Sequence, residues 1–186
     1  MSPSALSSSE SAGHMPKLVC FDLDYTLWDL WIDTHITPPI RRKGDAVNSL
    51  QDRHGTELGF YAQVPEILSE LKRRDIHVAA ASRTHAPDLA REALGLLLVP
   101  GQGKDDLVKA VTFFQTMEIY PGSKLRHFKS IHKKTGIAYS EMLFFDDEAR
   151  NKEVESLGVT MCLVRNGVDR KVFERGLAEW RKRNGK

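Results

Sequence analysis

Leu18-Val19-Cys20-Phe21-Asp22-Leu23-Asp24-Tyr25-Thr26 joins an apolar run to a pair of aspartates near the amino end of the chain. An apolar run without a polar face is typical of a strand that is covered on both sides, as in a parallel sheet. We expect this strand to end at Phe21, so that Asp22 and Asp24 follow its carboxyl end. In open α/β sheets, ligands bind at that end of the strands. The segment therefore predicts a buried parallel strand with a polar site at its end.

Four further apolar runs alternate with amphipathic helical segments along the rest of the chain. The runs cover 76–81, 116–120, 142–145 and 159–164. Helices are predicted to begin near Pro65, Pro87 and Ser123, and two more to cover 148–157 and 170–182. Strands that alternate with helices indicate an α/β fold, here a doubly wound and mainly parallel five-stranded sheet.

The 186 residues are enough for one domain. Residues 1–15 are Ser-rich and nearly uncharged, and we expect a disordered tail that is either native or left by cloning. A single domain is then predicted over 16–186. Residues 28–63 break the alternation of strands and helices, because they hold Pro38-Pro39 and three glycines but no long helical pattern. We expect them to form a small insertion over one end of the sheet.

Composition excludes several classes of protein. The net charge of +2 gives no reason to expect nucleic acid as a partner, and no run of about 18 apolar residues predicts a membrane span. Cys20 and Cys162 lie inside apolar runs, which is typical of buried strand residues and not of a disulfide scaffold or a nucleophile. Residues 1–15 lack the features of a secretion or mitochondrial signal, so a cytoplasmic location is predicted, with the nucleus as an alternative.

Polar side chains follow the other predicted strands at the same edge of the sheet. They are Ser82, Arg83, Lys124, Asp146 and Asp147. Crowded carboxylates repel one another unless a cation lies among them, and oxygen ligands favour Mg²⁺. The chain has no His/Cys spacing that is typical of zinc. The hydroxyl of Ser82 and the cations of Arg83 and Lys124 are suited to phosphate oxygens, so the sequence predicts a site that binds a phosphoryl group on a metal.

The two aspartates of the first segment differ in their predicted roles. An ionised aspartate can attack phosphorus and form an aspartyl-phosphate, and we assign this nucleophilic role to Asp22. The leaving alkoxide needs a proton, and the water that attacks later needs a base. One carboxyl group can serve both steps in turn, and we assign Asp24 as this acid/base.

The segment Phe21-Asp22-Leu23-Asp24-Tyr25-Thr26-Leu27 resembles the first motif of the haloacid dehalogenase-like phosphatases. Ser82, Lys124 and Asp146-Asp147 match the other three motifs in the right order. Longer matches resemble the magnesium-dependent phosphatase family within that superfamily. They are 31–35 with Pro38-Pro39, 80–84, 118–124 and 144–148.

This resemblance implies further properties of the site. Asp22 and Asp146 would give side-chain oxygens to Mg²⁺, Asp24 a main-chain carbonyl, and Asp147 a direct or water-mediated contact. The family has a minimal cap, which agrees with the short insertion at 28–63. It also implies substrates such as phosphotyrosine, other aryl phosphates or sugar phosphates, so a phosphorylated small molecule or a phosphoprotein is the predicted partner. The chain departs from the family pattern mainly at 96–111.

Other interpretations remain open. The same residues could form a phosphoaspartate signalling or binding module without turnover, although receivers carry their acid pair and lysine in a different order. A phosphomutase would need a large cap, for which the chain has no segment. Trp28 and Trp31 are expected to pack in the core, with stacking on an aryl leaving group as the alternative. Asp33 and His35 are candidates for the mouth of the pocket.

Overall fold

The computed structural model describes residues 13–101, 103 and 106–186, which form ten strands and five α-helices. The strands are β1 (Leu18–Phe21), β2 (Arg41–Arg42), β3 (Leu50–Gln51), β4 (Glu57–Leu58), β5 (His77–Ser82), β6 (Leu98–Pro100), β7 (Leu107–Lys109), β8 (Thr116–Ile119), β9 (Met142–Asp146) and β10 (Thr160–Leu163). The helices are α1 (Ile32–His35), α2 (Val64–Arg73), α3 (Pro87–Leu96), α4 (Lys124–Thr135) and α5 (Arg170–Arg183).

Five of these strands form the central parallel sheet, in the order β10-β9-β1-β5-β8. Cys20 of β1 lies opposite Ala79 on one side and Phe144 on the other. The chain runs outward from β1 through β5 to β8, and then returns to place β9 on the other side of β1. The strand order therefore reverses next to β1, which is where an open α/β sheet offers a ligand site. The predicted α/β fold and its five strands are confirmed.

Helices cover both faces of this sheet. Alternate residues of β1 point to opposite faces and so belong to two different cores. Val19 and Phe21 belong to a core that includes buried residues of α2, α3 and α5. Leu18 and Cys20 belong to a second core, which α4 covers together with the segment 149–157. Both cysteines are free and buried, as expected.

The ends of α4 follow the predicted signals. The Ser123 hydroxyl accepts a hydrogen bond from the N–H of Leu125 at 3.1 Å, and the helix ends at Gly136 with a φ of 69°. Glycine has no Cβ and therefore tolerates this left-handed conformation without strain. The short helix predicted at 148–157 is a 3₁₀-helix, Ala149–Leu157, and it ends at Gly158 as expected.

The insertion after β1 is small and lies over the carboxyl end of the sheet. It contains α1 and an antiparallel sheet in which β3 lies between β2 and β4. Trp28 is completely buried and stacks on Phe60, with ring centroids 6.2 Å apart. The expected insertion at 28–63 thus corresponds to one short helix and three short strands.

Two predicted irregular regions lie partly outside the described residues. Most of the predicted tail, 1–12, is outside, whereas His14 stacks on Trp180 of α5 with ring centroids 5.9 Å apart. Residues 102, 104 and 105 of the departing loop are also outside, and this loop joins β6 to β7 as an antiparallel pair. Across the part of the chain that the structure describes, no helix is both long and apolar enough to cross a membrane.

Candidate active site

The predicted site residues converge on one cavity at the carboxyl ends of β1, β5 and β9. The cavity has a volume of about 490 Å³. Six of the seven predicted residues line it: Asp22, Asp24, Ser82, Arg83, Lys124 and Asp147. The seventh, Asp146, is completely buried beside it and contacts Lys124. The structure therefore brings all the predicted side chains together around one space.

Three carboxylates form a group that could hold a cation. Asp22, Asp146 and Asp147 each present one oxygen, and these oxygens lie within 4.8 Å of one another. All three donors are carboxylate oxygens, which are the ligands that Mg²⁺ prefers, and sulfur or imidazole ligands are not part of the group. The donor set therefore fits a hard divalent cation. The side chain of Asp24 is not part of this group. The predicted contact of its main-chain carbonyl with the metal stays a prediction.

Lys124 connects two of the three carboxylates. Its Nζ lies 2.6 Å from an Asp22 oxygen and 3.0 Å from an Asp146 oxygen, and it also donates to the main-chain carbonyl of Ala81. The lysine is completely buried, and a buried cation is stable only where anions surround it. Lys124 begins α4, so the position of that helix determines where the ammonium group lies.

Asp22 is held at the end of β1 by contacts on several sides. Its N–H donates to the carbonyl of Phe145 at 2.9 Å, which extends the pairing of β1 with β9 by one residue. Its other carboxylate oxygen accepts from the Thr26 hydroxyl at 3.4 Å. Burial raises the pKa of Asp22 well above its usual value, and Asp146 adds to this, while Lys124 opposes it. The charged form of Asp22 thus depends on nearby cations.

Asp24 has a different environment two residues later. Its Oδ1 accepts a hydrogen bond from the Trp28 indole at 2.7 Å and another from the N–H of Ile32 at 3.2 Å. Both contacts come from the insertion, so the insertion orients this carboxyl group at the cavity. Burial raises the pKa of Asp24 to about 6. A carboxyl group with a pKa in this range can donate and accept a proton near neutral pH.

Asn151 is a site residue that the sequence analysis missed. Its amide nitrogen lies 3.0 and 2.9 Å from the two carboxylate oxygens of Asp146, and it is 2% exposed. Its carbonyl oxygen accepts from the Arg83 guanidinium at 3.2 Å. Asn151 thus links a predicted metal ligand to a predicted phosphate ligand. Its only signal in the sequence is its place five residues after Asp146, within a predicted helix.

Ser82 and Arg83 lie where β5 ends. Ser82 is the last residue of that strand and is 1% exposed, and its hydroxyl accepts from the N–H of Thr84 at 3.3 Å. Arg83 lines the cavity while it contacts Asn151. Both residues occupy the predicted position, and their contact with phosphate stays a prediction.

The mouth of the cavity carries an aromatic group from the insertion. The expectation that Trp31 packs in the core is wrong, because the ring is 48% exposed and lines the cavity. It stacks on His35 with centroids 5.7 Å apart, and Tyr25 meets it edge-on at 5.1 Å. Trp28 occupies the neighbouring position in the core, and Trp31 lies on the solvent side of the insertion.

Asp33 connects this mouth to the loop after β5. One of its oxygens accepts from the N–H of His85 at 3.0 Å, and Thr84 donates to the same oxygen at 3.4 Å. The hydrogen bonds from His85 and from Thr34 outweigh the effect of burial and hold the pKa of Asp33 below its usual value. Asp33 therefore fixes α1 to the loop after β5. His35 is exposed, and its Nδ1 accepts a hydrogen bond from the N–H of Trp31 at 3.0 Å.

Comparisons with known proteins identify the family of this chain. The family model described as Acid Phosphatase matches residues 14–183. A protein of Schizosaccharomyces pombe, described as a member of the HAD-like hydrolase superfamily, is 52% identical over 145 residues, which cover 78% of this chain and 83% of the yeast protein. Magnesium-dependent phosphatase 1 of Homo sapiens is 42% identical over 169 residues, which cover 90% of this chain and 89% of the human protein.

A solved structure supports the fold independently. A Porphyromonas gingivalis protein, described as a predicted HAD-like family hydrolase, has a TM-score of 0.56 and is 17% identical, over 87% of this chain and 98% of that one. At this identity the likeness concerns the fold alone. The order of the motifs, the match along almost the whole chain and the identity to the curated relatives lead to one conclusion. The chain belongs to the acid phosphatase family, among the magnesium-dependent phosphatases of the haloacid dehalogenase-like superfamily.

Proposed function

We propose that this protein hydrolyses phosphate monoesters through an aspartyl-phosphate on Asp22, with Mg²⁺ as the cofactor. One observation carries the proposal: Asp22 lies in a group of three carboxylates within 4.8 Å and also contacts the buried Lys124 at 2.6 Å. A carboxylate in such surroundings can attack phosphorus while nearby cations balance the charge of the phosphoryl oxygens.

The first step transfers the phosphoryl group to the protein. A carboxylate oxygen of Asp22 forms a bond to phosphorus, and the bond from phosphorus to the ester oxygen breaks. The electron pair of that bond leaves with the alkoxide or phenoxide. Asp24 donates its proton to this oxygen, which its neutral form can do because its pKa is raised to about 6.

The second step releases inorganic phosphate. A water molecule attacks phosphorus, Asp24 takes one proton from it, and the bond between phosphorus and Asp22 breaks. Asp22 is thereby restored as a carboxylate, and Asp24 is again protonated. The hydrogen bonds that Asp24 accepts from Trp28 and Ile32 hold its carboxyl group in place for both proton transfers.

The phosphoryl oxygens need positive and hydrogen-bonding partners. We assign this role to Ser82, Arg83 and Lys124, all of which line the cavity. Asp22, Asp146 and Asp147, with the main-chain carbonyl of Asp24, would hold Mg²⁺, and the bound ion would supply positive charge for the phosphoryl oxygens. The closeness of the three carboxylates supports this ligand set.

We infer that aryl phosphates, including phosphotyrosine, are the preferred substrates. The half-exposed Trp31 ring and the edge-on Tyr25 give the mouth of the cavity an aromatic surface on which a flat leaving group can stack. The small insertion leaves room for a phosphorylated side chain of a protein as well as for a small ester. Sugar phosphates are the second candidate class, and a cytoplasmic location stays a prediction.

A hydrolysis screen tests the proposal. Phosphotyrosine peptides, phosphoserine peptides, an aryl phosphate and sugar phosphates are each assayed with Mg²⁺ and with a chelator. We expect turnover only with the metal, and Trp31→Ala should raise KM for aryl substrates while sugar phosphates change little. Leu107→Ala removes an equally exposed apolar side chain outside the cavity and serves as the control. Activity that persists without divalent cations would contradict the metal assignment.

A further inference from the structure

His127 is a buried histidine that the proposed mechanism does not use. It lies on α4 three residues after Lys124 and is completely buried. Its Nδ1 lies 3.0 Å from the carbonyl oxygen of Ser123, and its Nε2 lies 2.9 Å from the carbonyl oxygen of Tyr120. Both ring nitrogens thus face hydrogen-bond acceptors of the same loop.

That loop, residues 120–123, carries part of the cavity wall. It joins β8 to α4, and its Pro121 and Gly122 line the cavity. Gly122 has a φ of 136°, a conformation that other residues rarely adopt, so the turn is tight at this point. Lys124 follows the loop directly, and therefore a shift of the loop would move its ammonium group away from Asp22 and Asp146.

The contacts of His127 fix both ends of this loop. The N–H of Tyr120 donates to the carbonyl of Ser82 at 3.0 Å, so Tyr120 is tied to the end of β5. His127 contacts the carbonyl of the same residue, and it also contacts Ser123 at the start of α4. The Tyr120 ring stacks on the imidazole with centroids 4.3 Å apart. The histidine therefore joins the helix that carries Lys124 to the strand end that carries Ser82.

We propose that His127 is a positioning residue that holds this loop at both ends and so places Lys124 among the carboxylates of the active site. This inference rests on the proposed function, because it assigns His127 a part in that reaction. His127 itself is three residues away from the nearest proposed site residue in sequence and does not line the cavity.

The protonation state of His127 determines whether one or both of these contacts are hydrogen bonds. A neutral imidazole has one N–H and can donate to only one carbonyl, whereas an imidazolium donates to both. Burial of the ring and the nearby Lys124 lower the pKa of His127, while the two carbonyls and Glu118 of β8 act in the opposite direction. The phenol ring of Tyr120 also faces the imidazole. Because the folded surroundings lower this pKa, protonation of the ring costs free energy in the folded protein, and at neutral pH the neutral ring donates to one of the two carbonyls.

Two variants at position 127 separate a positioning role from simple packing. His127→Met fills a similar volume without a donor, and His127→Gln restores an amide nitrogen with two hydrogens for the two carbonyls. We expect His127→Met to lower kcat about tenfold, as the loss of a buried hydrogen bond does, and His127→Gln to recover most of it. KM should change less than kcat. Thermal melting of both variants establishes that they fold.

His132 offers a matched control on the same helix. Its Nδ1 contacts one carbonyl, that of Ile137, and its ring packs against Tyr139 with centroids 4.5 Å apart. It does not line the cavity, so His132→Met should leave kcat unchanged.

Nitrogen NMR of the imidazole rings gives a readout without turnover. At neutral pH, we expect one nitrogen of His127 to carry a proton that is hydrogen-bonded to one of the two carbonyls. An equal kcat in wild type and His127→Met, or a kcat of His127→Gln no higher than that of His127→Met, would overturn the inference. Loss of wild-type turnover on every substrate would instead overturn the proposed function, so the two failures are distinguishable.

Discussion

The Nζ of Lys124 lies 2.6 Å from a carboxylate oxygen of Asp22, although the two residues are 102 positions apart in the chain. The same Nζ is 3.0 Å from Asp146. This buried lysine thus joins the end of β1, the end of β9 and the start of α4 at one point. Its charge offsets the repulsion between two carboxylates that burial has removed from water.

Removal of the Lys124 charge should therefore destabilise the metal-free protein. Lys124→Met leaves Asp22 and Asp146 buried without their cation, and breaking a buried pair in this way costs about 3–5 kcal/mol. We expect Mg²⁺ to raise the melting temperature of the variant more than that of the wild type, because the ion replaces the missing charge. Thermal melting with and without Mg²⁺ measures this difference.

Lys133→Met is the control for this prediction, since Lys133 is an exposed lysine on the same helix. It should melt like the wild type in both conditions. Equal Mg²⁺-induced shifts in Lys124→Met and the wild type would refute the idea that lysine and metal balance the same carboxylates.

Asn151 should determine how tightly the site binds Mg²⁺. Asn151→Ala removes the amide that contacts both oxygens of Asp146, and the loss of such an orienting partner lowers metal affinity about 10–100-fold. Titration calorimetry with Mg²⁺ measures the change directly. Lys152→Ala alters the exposed neighbouring residue and should bind Mg²⁺ like the wild type. An unchanged affinity in Asn151→Ala would show that Asp146 keeps its orientation without the amide.

The position of Lys124 could be predicted from the sequence, whereas that of Asn151 could not. Apolar runs give the strands, and the carboxyl ends of parallel strands share one edge, so residues that follow the strands must meet. Asn151 lies inside a predicted helix, and only the packing of that segment against β9 turns its amide toward Asp146. The exposure of Trp31 also depends on tertiary packing, since Trp28 occupies the core place beside it. Patterns of residue type do not distinguish the two tryptophans.

Asp24 should matter most where the leaving group needs a proton. Asp24→Asn removes the acid/base, which contributes about 10²–10⁴-fold to such reactions. We expect a large loss of kcat on alkyl and sugar phosphates, and a much smaller loss on p-nitrophenyl phosphate, whose leaving group departs without a proton. Steady-state rates on the two kinds of ester give the ratio. A uniform loss on both would argue against proton transfer from Asp24 to the leaving group.

Gly176 tests the packing of the last helix against the sheet. A Cβ at this position would lie 2.5 Å from the Phe145 ring, so Gly176→Ala requires the helix or the ring to move. We expect a loss of about 1–3 kcal/mol in the free energy of unfolding, as overpacking of a core gives. Urea denaturation measures it.

Gly95 supplies the opposite case within α3, because a Cβ there would meet nothing within 4 Å. Gly95→Ala should stabilise the protein by about 0.5–1 kcal/mol, since alanine is the better helix former. A Gly176→Ala protein as stable as Gly95→Ala would mean that α5 does not pack this closely on β9.

Direct trapping of the phosphorylated protein tests the role of Asp22. A reaction with p-nitrophenyl phosphate and Mg²⁺ is quenched rapidly in acid, the acyl phosphate is reduced with borohydride, and the digested peptides are analysed by mass spectrometry. We predict that the label is found at Asp22 in the wild type, and that Asp22→Asn gives neither label nor turnover. A label at another residue, or turnover by Asp22→Asn comparable to that of the wild type, would contradict the assignment of Asp22 as the nucleophile.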